Sequence, residues 1–319
     1  MRNFLTKIQQ RLEGKMKKMS KLNQEKKTKK TFKDKWENNP DLAFSETLNE
    51  KSEIFNWILN RNGFKNVKEF EKYLSNKTRI LDAGCGNGRV TALLRKYSDA
   101  NKTEIVAADL VPVKIAQKNL KHYHLDQNIR FIQADLMKSL KKLGKFDFIY
   151  CQEVLHHTKN PKKAFSNLVE ILTPKGEIAI YVYKKKSPAR EYIDDYIRAR
   201  ISHLSYKDAI KVCEQITDFG KALSEPKLKI TIPAVDILDI QAGEFDLQRF
   251  IYYFFMKCFW NKNLTFQENV AINFDWYHPE LCARYTLGEV RKWFVDSNLM
   301  IIQECVDAYG ITMRGKRTR

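Results

Sequence analysis

Between Arg79 and Tyr183 the apolar positions follow two alternating rhythms. The segments "RILDAG", "TEIVAADL", "IRFIQADL", "FDFIYCQEV" and "GEIAIYVY" are short, nearly continuous apolar runs, the pattern of strands buried on both faces. Between them, "RVTALLRKY", "VKIAQKNLKHY" and "NPKKAFSNLVEIL" repeat their apolar residues at three- and four-residue steps, which predicts amphipathic helices. The last opens with Asn160 at the capping position and Pro161 in the first turn, where proline sacrifices no hydrogen bond. Strand and helix in alternation predict a parallel sheet covered on both faces. Upstream, "SETLNEKSEIFNWILNRNG" places Ile54, Phe55, Ile58 and Leu59 on one helical face and ends at Gly63.

The alternation stops at Lys184. Helical patterns follow in "REYIDDYIRARISHL", "KDAIKVCEQITDFGKAL" and "FDLQRFIYYFFMKCFWN", with "KLKITIPAV" an extended piece between the second and third. The third is apolar nearly all round, as buried helices are; its other readings are the wall of an apolar substrate pocket or the interface of a homodimer. The α/β rhythm returns with the helix "TLGEVRKWFVDSN", the strand "LMIIQEC" and a hairpin partner in "YGITMRG". An interruption of about a hundred residues is too long for a loop and predicts an inserted helical lid. Its expected place is over the carboxyl end of the sheet, where open α/β folds bind ligands. The chain thus divides into a basic arm (1–35), N-terminal helices with an α/β core (36–183), the lid subdomain (184–280) and the closing helix and strands of the core (281–319).

Charge changes the picture mainly at the start. The formal net charge is +19, and residues 1–35 hold thirteen Lys or Arg against three Asp or Glu, so more than half of the excess sits in the arm. There Phe4, Leu5, Ile8, Leu12, Met16 and Met19 recur at helical steps among lysines, the pattern of a helix lying on an anionic membrane surface. A solvated, partly disordered arm is the plainer reading of the composition of "KKMSKLNQEKKTKK", and nucleic acid is a third partner for such a segment. The six cysteines are scattered without C-x-x-C or zinc spacing, which predicts reduced thiols and no metal site. With no apolar run of bilayer length and no secretory leader in view, the expected location is cytoplasmic, peripheral to a membrane if the arm binds one.

The turn "LDAGCGNG" crowds Gly84, Gly86 and Gly88 between a strand and a helix. A dinucleotide fingerprint would read G-x-G-x-x-G and cradle a pyrophosphate at the helix N-terminus. Here the spacing is G-x-G-x-G, and Asp82 precedes it. A carboxylate there repels phosphate and attracts ammonium, so the turn points to an adenosine-like cofactor that carries a cation.

With "LDAGCGNG" after the first strand, "VAADL" ending the second, "QADLM" after the third and "FDFIYCQEVLHH" on the fourth, the core resembles the class I S-adenosylmethionine-dependent methyltransferases over 78–183 and 286–315. The resemblance implies an α/β, Rossmann-like, doubly wound and mostly parallel seven-stranded sheet, with the lid and the arm outside it. It implies S-adenosyl-L-methionine as cofactor. Asp82 would lie near the methionine ammonium, through water or backbone, while Gly84 and Gly86 let the backbone approach. Asp109 would accept both ribose hydroxyls, with Leu110 against the adenine ring. Asp135 would accept from the adenine amino group beside Leu136, and Cys151 and Gln152 would line the methionine arm.

The fourth strand lacks the Asn/Asp-Pro-Pro-Tyr/Phe segment of nucleobase amine methylation, and no Pro-Cys pair offers a nucleophile for pyrimidine carbon. Its "EVLHH" ending resembles the small-molecule branch. The expected reaction is O-methylation of a small-molecule, glycan or lipid-linked acceptor. The alternatives are RNA methylation, which the charge favours, and a catalytically silent fold used for binding. A hydroxyl acceptor loses its proton as the new bond forms, which needs a base. His156 and His157 are candidates at the end of strand four, packing being their plainer reading. In "NFDWYHPE", Asp275 and His278 interleave with aromatic rings and offer stacking and hydrogen bonds to an acceptor, unless the segment is an aromatic linker.

Overall fold

The structure is a computed structural model and describes residues 24–318. The apolar arm positions Phe4 to Met19 lie outside the described residues. Residues 24–38 form a helix, α1. It is followed by α2 (Phe44–Leu48), α3 (Glu53–Arg61) and α4 (Val67–Leu74). The one helix expected over 45–63 is therefore two. Ser52 makes the break: its hydroxyl donates to the Glu46 carbonyl and accepts from Phe55 N, capping α3 while terminating the segment before it.

The core follows in the expected order: β1 (Arg79–Ala83), α5 (Arg89–Lys96), β2 (Glu104–Asp109), α6 (Lys114–His122), β3 (Ile129–Gln133), β4 (Phe146–Gln152), α7 (Pro161–Glu170) and β5 (Leu172–Tyr183). After the helical interruption come α12 (Leu287–Asp296), β8 (Leu299–Val306) and β9 (Gly310–Arg317). Among the described residues the central sheet has seven strands in the order β3-β2-β1-β4-β5-β9-β8. β1 pairs in parallel with both β2 and β4, while β9 runs antiparallel to its neighbours β5 and β8. The reason for the continuous apolar runs is visible residue by residue. Ile80, Ile105 and Phe148 pack on one face against α3, α4 and α5, while the next residues, Leu81, Val106 and Ile149, pack on the other against α7 and α12. Strand order reverses between β1 and β4, which opens a crevice at their carboxyl ends.

Between β5 and α12 lie α8 (Pro188–Ile201), α9 (Tyr206–Ser224), an antiparallel ribbon of β6 (Lys229–Ile232) with β7 (Gly243–Asp246), α10 (Leu247–Phe254) and α11 (Phe266–Tyr277). The four helices share an apolar core with Tyr181 and Tyr183 at the end of β5, which holds the layer over the crevice. α10 stops well short of the end expected at Asn261. The "NFDWYHPE" stretch is not a linker: through Tyr277 it is the last part of α11, a helix started by a Thr265/Glu268 capping box.

The arm boundary also moves. Residue 35 falls inside α1, whose inner face is the polar stripe Thr28, Thr31 and Lys35, all buried. Thr28 Oγ1 accepts from Leu281 N at 3.4 Å, Thr31 Oγ1 bonds His278 Nδ1 at 2.9 Å, and Lys35 Nζ meets Asp275 Oδ1 at 2.7 Å. Residues 24–35 thus belong to the folded body rather than to a solvated arm.

Candidate active site

The carboxyl ends of the parallel strands and the layer above them enclose one cavity of about 980 Å³. This is the upper end of what a single small ligand fills, and leaves room for two side by side. Its lower wall is built by Gly84, Gly86, Asp109, Leu110, Asp135, Leu136 and Gln152; Lys35, Tyr183, Lys257, Asp275 and Trp276 face them from α1, β5 and the helical layer.

Gly84 and Gly86 hold φ of +92° and +54°, a region that glycine enters without strain. Their bare Cα atoms also admit neighbouring side chains. A Cβ on Gly84 would lie 2.1 Å from Val154 Cγ2, and one on Gly86 2.6 Å from the Trp36 ring. The turn is therefore shaped as much by protein packing as by a ligand. Gly86 N donates to Asp109 Oδ2 at 2.8 Å and Val111 N donates to Oδ1 at 3.0 Å. Each carboxylate oxygen keeps a lone pair, so Asp109 can still accept from two vicinal hydroxyls. Burial raises its carboxyl above the ordinary value, opposed by these backbone donors. Asp135 Oδ1 accepts from Met137 N at 2.9 Å, fixing the turn after β3. Gln152 Oε1 takes the Tyr150 hydroxyl, while its Nε2 is buried without a partner. An orphaned donor on a cavity wall fits a ligand oxygen. Diol acceptor, orphaned amide and the apolar pair Leu110 and Leu136 together fit S-adenosylmethionine.

Other expected site residues stand elsewhere. Asp82 is 1% exposed, does not border the cavity, and accepts from Thr91 Oγ1 at 2.5 Å. It lies under the glycine turn, out of contact with the cavity. Burial pushes its carboxyl up from 3.8 to about 7, against the Thr91 bond. A raised acid contributes stability that is fully present below about pH 4 and is lost as pH rises through about 7. Asp82→Asn stays neutral, so its stability relative to wild type should rise between pH 5 and pH 8 in urea denaturation. A difference that does not change with pH would show that Asp82 ionises normally.

Cys151 does not line the methionine arm: it points into the apolar core with Leu81 and Ile149. Side chains alternate along β4, so Gln152 faces the cavity and Cys151 cannot. His156 is 0% exposed, stacks on Tyr183 with ring centroids 3.7 Å apart, and has no partner for either ring nitrogen; burial holds it neutral, and it does not border the cavity. His278 is likewise absent from the wall, its ring fastening α1 and the Leu204 carbonyl to the end of α11.

His157 and Asp275 do border the cavity. His157 Nδ1 lies 2.7 Å from the Leu281 carbonyl oxygen and so carries the proton, leaving the Nε2 lone pair without a protein partner. Burial lowers its pKa to about 4, although Asp275 opposes the shift, so the ring is neutral at pH 7. Burial tends to raise Asp275, but Lys35 and His157 outweigh it and keep the carboxyl below its ordinary value. Sequence reasoning missed Trp36, which covers the glycine turn, and Lys35, 4.3 Å from the Trp36 ring. It also missed Glu153, a cavity residue at φ +60° whose carboxylate accepts from Arg89 Nη2 at 3.1 Å. A non-glycine residue strained in this way beside a cavity is a recognisable mark of a site, but only in coordinates.

The chain belongs to a methyltransferase family: the family described as "Methyltransferase domain" matches residues 55–223, more than half of the sequence. The match runs from α3 into α9, taking in the glycine turn and Asp109, and ends before Lys257 and Asp275. The chain is similar to an uncharacterized protein of Synechococcus sp., 35% identical over 109 residues, 34% of this chain and 26% of that one. It is also similar to the juvenile hormone acid O-methyltransferase of Bombyx mori, 30% identical over 101 residues, covering 31% of this chain and 36% of the relative. A third relative is the ubiquinone biosynthesis O-methyltransferase of Xanthomonas axonopodis pv. citri, 26% identical over 167 residues, with 46% and 67% covered. The chain thus spans from about a quarter to two thirds of the length of these curated relatives.

Proposed function

We propose that the protein transfers a methyl group from S-adenosylmethionine to an oxygen of a small-molecule acceptor, including a glycan or a lipid-linked one, held in the same cavity. The observation that carries this reading is the continuity of that cavity from the Asp109 end to the aromatic chamber at Tyr183 and Trp276. The cofactor supplies a methyl carbon activated by its sulfonium. Asp109 and Gln152 would hold it by the ribose and by a polar oxygen, while Leu110 and Leu136 flank the base. Trp36 and the helical layer cover the crevice, so two ligands meet out of bulk water and in a fixed relative orientation, the main source of rate in a bimolecular displacement. His157, neutral and with Nε2 free, is the candidate to take a hydroxyl proton.

The rival RNA reading rests on charge. Within α1, however, Lys27, Lys30, Lys33 and Lys35 pair with Glu280, Asp34, Glu37 and Asp275. That leaves less of the basic segment to meet phosphates than its composition suggests. Incubation with methyl-tritiated cofactor and a cell extract separates the two readings. Label is expected in the small-molecule or lipid fraction; label in ribonuclease-sensitive material would overturn the proposal.

A further inference from the structure

We infer that the acceptor carries a phosphate group, seated in a cationic chamber under α8, α10 and α11; the inference rests on the methyl-transfer reading of the cavity's other half. The centre of the chamber is the buried Trp276 indole. Around its ring stand Lys257 Nζ at 4.9 Å, the Arg190 guanidinium at 5.4 Å and Lys186 Nζ at 5.9 Å. Arg249 joins them through the Tyr252 ring, 5.5 Å from its guanidinium and 4.6 Å from that of Arg190. All four cations border the cavity.

The local carboxylates do not balance them. Asp194 is committed to Arg190, whose Nε donates to it at 3.1 Å, and Asp275 is committed to Lys35 at 2.7 Å. Glu268 is turned to the Thr265 backbone and hydroxyl in the α11 cap. Among the described residues, no carboxylate lies within ion-pair distance of Lys186, Lys257 or Arg249. Lys186 spends two N–H groups on the Ala308 and Tyr309 carbonyls. Lys257 is only 8% exposed, and among the described residues no hydrogen bond reaches its ammonium. Arg190, 1% exposed, has an unpartnered Nη1, as does Arg249.

Burying cations without counter-charge is costly, and the cost is relieved when a ligand brings the charge. Other buried guanidiniums of this protein are settled without a ligand, Arg198 by Asp195, Arg61 between the Trp57 and Tyr181 rings and Arg95 by the Thr103 and Gln127 carbonyls, and none of these three borders the cavity, as the chamber cations do. Lys257 and Arg249, with Lys186, whose ammonium burial and the neighbouring Arg190 hold well below its ordinary range until an anion arrives, together call for more than the single charge of a carboxylic acid, and guanidinium forks match phosphate oxygens. The aromatic rings between them offer stacking surface to the rest of the acceptor. Burial pulls the Lys257 ammonium down to about 8 even with Asp275 and Asp194 facing it, the shift expected where the counter-charge has yet to arrive.

Calorimetry on the full chain saturated with S-adenosylhomocysteine tests the inference, with pyrophosphate, inorganic phosphate and acetate as probes. Pyrophosphate and phosphate should bind, with acetate at least about tenfold weaker, and Lys257→Met and Arg249→Gln should each lose about tenfold or more of the pyrophosphate affinity, as expected for a lost charge-assisted bond. S-adenosylhomocysteine affinity, which also reports that each variant is folded, should stay within about twofold of wild type, because the two side chains stand at the Trp276 and Tyr252 rings and bond neither Asp109 nor Gln152. The inference fails if the cofactor-loaded protein ignores pyrophosphate, binds acetate equally well, or binds pyrophosphate unchanged in both variants. Wild-type protein that does not bind S-adenosylhomocysteine would instead sink the cofactor reading, and this inference with it.

Discussion

Asp194→Ala is expected to destabilise the protein by roughly 3–5 kcal/mol, the range for breaking a buried ion pair by removing one partner. Asp194 is fully buried at the joint of α8, α10 and α11. Its Oδ2 accepts from Arg190 Nε at 3.1 Å and Trp276 Nε1 at 2.8 Å, and its Oδ1 from Lys257 N at 3.0 Å and the Tyr277 hydroxyl at 2.8 Å. Alanine would strand the Arg190 guanidinium in the interior and leave the indole N–H and the Lys257 N–H unsatisfied. Tyr277 would lose less, because its hydroxyl also reaches the Lys257 carbonyl at 2.9 Å. Urea denaturation reads the loss directly. Arg190→Met combined with Asp194→Leu should recover part of it, since an apolar pair removes the stranded charge. A single alanine variant within about 1 kcal/mol of wild type would show that this network does not hold the layer together.

Asp109→Ala is expected to weaken S-adenosylhomocysteine binding by about 1.5–3 kcal/mol, or roughly 10- to 150-fold, the worth of charge-assisted hydrogen bonds to a ligand diol. The effect has two sources. The ligand loses its acceptor, and the turn loses the anchor that receives Gly86 N–H and Val111 N–H. Asp109→Asn keeps the shape but sets an amide N–H against one of those donors, so it should recover only part of the affinity.

The sheet was legible because each strand must be apolar on both faces, and adjacent pairs such as Ile80 and Leu81 serve opposite layers. Gly84, Gly86, Asp109 and Asp135 were legible because strand ends bring them to one crevice whatever the rest of the chain does. α1 was not, because its buried face is Thr28, Thr31 and Lys35, and a polar stripe satisfied by distant partners looks solvated in a sequence. α11 was hidden for a related reason: Asn269 and Asn273 are buried in it, bonded to the backbone around Phe259 and Asn261. Its "TFQE" capping box was the available signal. Period-two alternation along β4 separates Gln152 from Cys151. It says nothing of which neighbouring histidine faces the cavity, because the chain leaves the strand for a 3-10 turn at Leu155–His157. The cationic chamber had no sequence signal at all, since Lys186, Arg190, Arg249 and Lys257 are brought together only by the packing of α8 and α10 around Trp276.

Everything proposed for the cavity depends on which nucleoside its glycine turn accepts. The most direct measurement is a calorimetric titration of the wild-type chain with S-adenosylhomocysteine and, separately, with NADH. Saturable one-to-one binding of S-adenosylhomocysteine, lost with Asp109→Ala, and no binding of NADH is the predicted result; binding of NADH without binding of S-adenosylhomocysteine would contradict it.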